Sequence, residues 1–118
     1  MWEVVERAEI AARPGRVWRV VRDHEGHADL SSDGEVRAIR IDVDDEPREL
    51  AWTSLRSFDG GAEQLEVQWW FRLAPSWNGT EVEHGVRVPR APAASEQLDL
   101  RQGVVETLAT IKERAEQA

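Results

Sequence analysis

Residues 2–10 alternate between apolar and polar. Trp2, Val4, Ala8 and Ile10 fall on one face, with Glu3, Arg7 and Glu9 on the other, which is the period of a half-buried strand. Ala11-Ala12-Arg13-Pro14-Gly15 breaks that pattern, and Pro14 suits the first turn of a helix. Val17, Trp18, Val20 and Val21 then put a narrow apolar face on a short helix ending near Asp23. Residues 24–30 read as a turn or a second short helix, and Ser31-Ser32-Asp33-Gly34 as a loop.

Four strands are predicted next. From 35 to 43, Arg37, Ile39, Ile41 and Val43 share a face; Asp44-Asp45-Glu46-Pro47 turns the chain, and Leu50, Trp52 and Ser54 alternate on the return. After Asp59-Gly60-Gly61, Leu65, Val67, Trp69, Phe71 and Leu73 form the cleanest period-two run. Asn78-Gly79 supplies a positive-φ pair for a hairpin, and Val82, His84, Val86 and Val88 alternate beyond it until Pro89. Ser95 is the predicted N-cap of a last helix of about twenty residues. Its stripe of Leu100, Val104, Leu108, Ile111 and Ala115 steps by four, four, three and four.

Short turns between consecutive strands imply antiparallel pairing. A sheet of about five strands with one apolar face needs a cover, and the long C-terminal helix has the stripe to supply it. The predicted fold class is therefore α+β, in one domain spanning residues 1–118.

Composition narrows the chemistry. With no Cys, there are no disulfides, thiolate metal sites or cysteine nucleophiles, and a cytoplasmic location is the natural expectation. Acidic residues near the N-terminus give no targeting pattern, and no apolar run approaches the roughly 20 residues of a membrane span. A net charge of −8 disfavours nucleic acid and anionic membranes as partners. Lys112 is the only lysine, so a Schiff-base mechanism is disfavoured. Six Trp, two Phe and no Tyr place most of the large apolar surface on indoles, whose N–H needs a partner when buried.

The segment I-A-A-R-P-G-R-V-W-R-V-V (residues 10–21) with Asp23, then E-P-R-E-L-A-W (46–52), W-F-R-L-A-P (70–75) and N-G-T-E-V (78–82) resemble the START-like superfamily. That superfamily includes polyketide cyclase/dehydrase proteins and pollen-allergen-like ligand binders. The resemblance implies a helix-grip fold: a curved sheet wrapped around the C-terminal helix, holding a hydrophobic small molecule and using no cofactor. Members usually carry another hairpin where this chain has only residues 31–35. A shortened sheet implies a shallow or open cavity, or one completed by a second copy in a homodimer.

By the predicted strand parities, Trp2, Glu6, Arg37, Trp52, Arg56, Trp69, Phe71 and His84 share the concave face, with Gly103, Val104 and Leu108 opposite on the helix. Glu6 sits among apolar neighbours, where burial raises a carboxyl pKa and a nearby Arg lowers it again. It reads either as half of a buried Glu6–Arg37 clamp or as a strand-edge residue reaching solvent. His84 reads as a general base or as a satisfied half-buried histidine. If the domain catalyses a cyclase-type reaction, Glu6, Arg37 and His84 are its acid/base candidates; if not, it is a carrier or an interaction module. The Asp23-His24…His27-Asp29 string lacks a third strong metal ligand, so no metal site is expected. Trp70 and Trp77 are placed on the outer face or at a turn, an exposed Trp70 suiting a subunit interface.

Overall fold

The computed structural model describes residues 1–29, 37–58, 60–61 and 63–117, with side chains except at 25–29 and 37–39. The element order is β1 (Trp2–Ile10), α1 (Pro14–Asp29), β2 (Arg37–Asp45), β3 (Glu49–Ser57), β4 (Gln64–Ser76), β5 (Gly79–Val88) and α2 (Ala94–Glu116). All five strands pair antiparallel in one sheet of order β1-β5-β4-β3-β2. Two-residue and other short turns can join only antiparallel neighbours, which explains the meander from β2 to β5. Both helices lie on the concave face, as in a helix-grip fold.

The predicted stripe of α2 is its buried face: Leu100, Val104, Leu108, Ile111 and Ala115 all lose their water. This face rests on β1 and β5. On one flank Arg101 reaches Glu6 (3.1 Å) and Lys112 reaches the Glu9 carbonyl (2.8 Å), so that flank lies over β1. At the far end Arg16 of α1 donates to the carbonyls of Ala115 (2.6 Å) and Gln117, satisfying acceptors that a helix terminus leaves open. Arg114–Asp23 (2.5 Å) is a second link between the helices.

Several boundaries differ from the sequence reading. The first helix does not stop near Asp23 but runs to Asp29 without a break. The last helix begins at Ala94 with Ala93 at its N-cap, so Ser95 is inside the first turn and makes no cap. The β4–β5 turn is centred on Trp77 and Asn78, because Ser76 pairs with Gly79. Gly79 has φ of +150°, and a Cβ there would lie 2.3 Å from the Ile10 carbonyl oxygen, so β5 starts where only glycine fits. In β2, register shifts between Ala38/Arg40 and Ile41/Val43 break the single alternating face expected from Arg37 to Val43. The predicted loop at 31–34 lies outside the described residues.

Candidate functional site

The concave face of β3 and β4 is set by register. Trp52 lies opposite Trp69, Leu50 opposite Phe71, and Arg56 opposite Leu65. On β5, His84 lies opposite Phe71. Period-two alternation thus brings four flat rings together. Trp52 and Trp69 stack at 6.3 Å between centroids and 8°, Trp52 and Phe71 at 5.9 Å, and Phe71 and His84 at 4.0 Å and 5°. Trp52 and Phe71 are buried and form the floor. Trp69 is only half-buried, and its indole N–H donates to Ser54 Oγ at 2.8 Å.

His84 is 3 % exposed. Its Nδ1 lies 2.8 Å from the Trp70 carbonyl oxygen, which can only accept, so Nδ1 carries the proton and Nε2 keeps its lone pair. Burial pushes the His84 pKa down to about 4; the Trp70 carbonyl opposes that shift and the nearby His24 adds to it. At neutral pH the ring is therefore an uncharged hydrogen-bond acceptor. As a general base near pH 7 it is poorly matched, since proton-transfer efficiency follows basicity.

The chain after Trp52 keeps its parity, so Arg56 and Phe58 continue along the same face. The Arg56 guanidinium stands 5.2 Å from the centroid of Phe58, and among the described residues no carboxylate pairs with it. Beside it lies a cleft of about 250 Å³, lined by Phe58, Glu63, Leu65, Arg90 and Pro92 with Gly61. The Arg90–Glu63 ion pair (2.7 Å) stands at its rim. Leu65 lines this cleft, with Arg56 opposite it on β3 and Trp69 four positions along the same face of β4. Sequence reading missed Phe58, Leu65 and Arg90 as site residues. Extending the alternation of β3 by two positions past Arg56 was the signal for Phe58.

Of the predicted acid/base trio, Glu6 and His84 lie directly opposite each other across β1 and β5, but Arg37 is not brought to them. Glu6 is on β1 at one sheet edge and Arg37 on β2 at the other, four strand positions away, about 19 Å on a flat sheet. Arg101 of α2 takes the place expected for Arg37 beside Glu6, and the pair is partly solvated. The Arg37 side chain lies outside the described residues; its backbone pairs with Leu55. Trp2 packs against the core from β1, and Val104 and Leu108 face the sheet as expected. Gly103 flanks that stripe, exposed, and a Cβ on it would meet open space. His24 is half-buried on α1, the His27 side chain is outside the described residues, and among the described residues no group of three or more His, Cys, Asp or Glu could hold a metal.

On the convex face, Trp70 is only 6 % exposed, against the expected open interface residue. Its ring lies over Gly85, where a Cβ would come within 2.2 Å of it, and the Arg72 and Arg87 guanidinium groups flank it at 5.5 and 5.4 Å. The indole N–H donates to Glu83 (2.9 Å), which also takes Arg7 and Arg72. Burial alone would raise the Glu83 pKa, but the Trp70 hydrogen bond and the two arginines outweigh it and hold it below the usual range. Trp77 is fully exposed at the β4–β5 tip.

No protein-family model matches the sequence, and comparison with curated proteins finds no match. The fold does have solved neighbours. Protein MLL2253 of Mesorhizobium loti superposes with a TM-score of 0.78 over 95 % of each chain, at 17 % identity. The Aha1 dimer of Colwellia psychrerythraea gives 0.70 at 14 % identity, over 98 % of this chain and 97 % of its own. CalU16 of Micromonospora echinospora gives 0.65 at 16 %, over 98 % of this chain and 76 % of its own. At these identities the likeness is one of fold alone. Among the described residues, no helix is long and apolar enough to cross a membrane.

Proposed function

We propose that this chain is a cytoplasmic member of the START-like superfamily that binds a flat apolar small molecule carrying an anionic oxygen group. The ring system lies along Trp69 and Leu65 in the groove, and the oxygen group meets Arg56. The observation that carries this reading is Arg56 itself: a half-buried guanidinium over the ring of Phe58, which lines an open cleft, with no carboxylate partner among the described residues. A guanidinium so placed favours an anion, since desolvated charge-assisted hydrogen bonds are about twice as strong as neutral ones. The aromatic floor favours a flat partner.

Carrier activity is favoured over cyclase-type acid/base catalysis by two further observations. Glu6 and Arg37 stand at opposite sheet edges, and His84 is too weak a base to share a proton with either at neutral pH. His84 Nε2 acts instead as a neutral acceptor behind the floor. A polyketide-like phenol or enol fits such a groove as cargo.

The test compares 1-naphthoate with its uncharged methyl ester by fluorescence titration. Wild type is expected to bind the acid roughly 10-fold more tightly, the worth of one charge-assisted hydrogen bond. Arg56→Leu removes that preference, and Trp69→Ala weakens both ligands. Equal binding of the two by wild type, or a preference that survives in Arg56→Leu, contradicts the reading.

A further inference from the structure

We propose that β1 is the seam of a two-fold dimer, in which the free edges of β1 from two chains pair antiparallel and join the sheets. Among the described residues β1 ends the sheet on one side. It runs nine residues in unbroken register with β5 and contains neither Gly nor Pro. Such a regular edge is a template for another strand, whereas β2 at the opposite edge is interrupted by two register shifts.

The direction of its free groups can be read from α2. Lys112 donates to the Glu9 carbonyl, and Glu116 accepts from the Ala11 N–H at 2.8 Å. Alternate residues of an antiparallel strand present their N–H and C=O to the same side. Odd positions of β1 therefore point outward; α2 blocks 9 and 11 and leaves Glu3, Val5 and Arg7 open.

Charge then chooses the register. With the axis at Arg7, two arginines oppose each other. With the axis at Glu6, Glu3 faces Glu9 of the other copy twice. With the axis at Val5, Glu3 faces Arg7 of the other copy twice and Val5 meets its own mate, so only this register is complementary. Within one chain Glu3 bonds Arg87 (2.9 Å) and Arg7 bonds Glu83 (2.8 Å), so the new pairs extend an existing charge lattice across the seam.

The helix above is compatible. Leu98, Arg101, Val105 and Lys112 step by three, four and seven along the flank of α2 that reaches β1. Leu98 and Val105 are 67 % and 47 % exposed there. Strands pair about 4.8 Å apart, and α2 rests on both β1 and β5. Two such helices then run about 10 Å apart, the spacing of packed helices. The Arg56 end of each groove lies on β3, away from the seam, so both sites stay open.

Sedimentation velocity at roughly 100 μM, a concentration that saturates a specific micromolar interface, is expected to show twice the chain's 13.4 kDa. Leu98→Glu, on an already exposed side chain, weakens the dimer roughly 10-fold or more. Val5→Cys introduces the sole thiol at the axis, where facing Cα atoms lie about 5.5 Å apart, and mild oxidation yields a cross-linked dimer. Ile41→Cys on the β2 edge does not cross-link. A wild-type monomer, a dimer indifferent to Leu98→Glu, or cross-linking through Ile41→Cys but not Val5→Cys overturns the proposal.

Discussion

His84 concentrates the residue-scale physics of the site. In the unfolded chain an imidazole takes its proton near pH 6.5, while in the fold it resists down to about 4. As pH falls below 6.5 the unfolded state therefore binds the proton first, and stability is lost progressively between about 6.5 and 4. The cost approaches about 3 kcal/mol at the bottom of that window. Urea unfolding of wild type and His84→Gln at pH 7 and 4.5 should show a smaller acid-induced loss in the variant; equal losses would mean His84 is not held neutral. Sequence alone placed His84 on the right face, because alternation fixes parity. It could not supply basicity, which comes from the burial and from a backbone carbonyl fourteen positions away in the chain.

At the scale of elements, α2 and the β3–β5 meander were legible because each pattern is long and unbroken. β2 was legible as a strand but not in its facing, since two register shifts break the single alternating face expected from Arg37 to Val43. They let Arg40 and Asp42 reach Thr53 instead, at 3.1 and 2.6 Å, a network no alternation reveals. The glycines show the same limit. At Gly85 the Trp70 ring occupies the place of a Cβ, which no pattern in the sequence reveals. Gly85→Ala must displace that ring and its bond to Glu83, costing roughly 2–4 kcal/mol. Gly103→Ala has open space and gains about 1 kcal/mol of helix propensity. Chemical denaturation midpoints should move in opposite directions for the two; a neutral Gly85→Ala would show that Trp70 is free to move.

The molecule as a whole has two unlike ends, one edge of its sheet and the cleft by the β3–β4 turn. One is the regular β1 edge beneath the exposed flank of α2, proposed as the seam between copies. The other is the Arg56 cleft, where the aromatic floor meets solvent. Sequence reading reached the second end through Trp52, Arg56 and Trp69, but the distance between Glu6 and Arg37 follows from sheet order, which no local pattern encodes. The six tryptophans report on the whole arrangement at once. The most direct test is a ¹H–¹⁵N titration of their indole N–H signals with 1-naphthoate. Binding in the groove predicts that Trp69 moves most while Trp70, on the convex face, and Trp77, at the hairpin tip, stay still. Movement of Trp70 or Trp77 with Trp69 unchanged would place the ligand elsewhere and contradict the groove as the binding site.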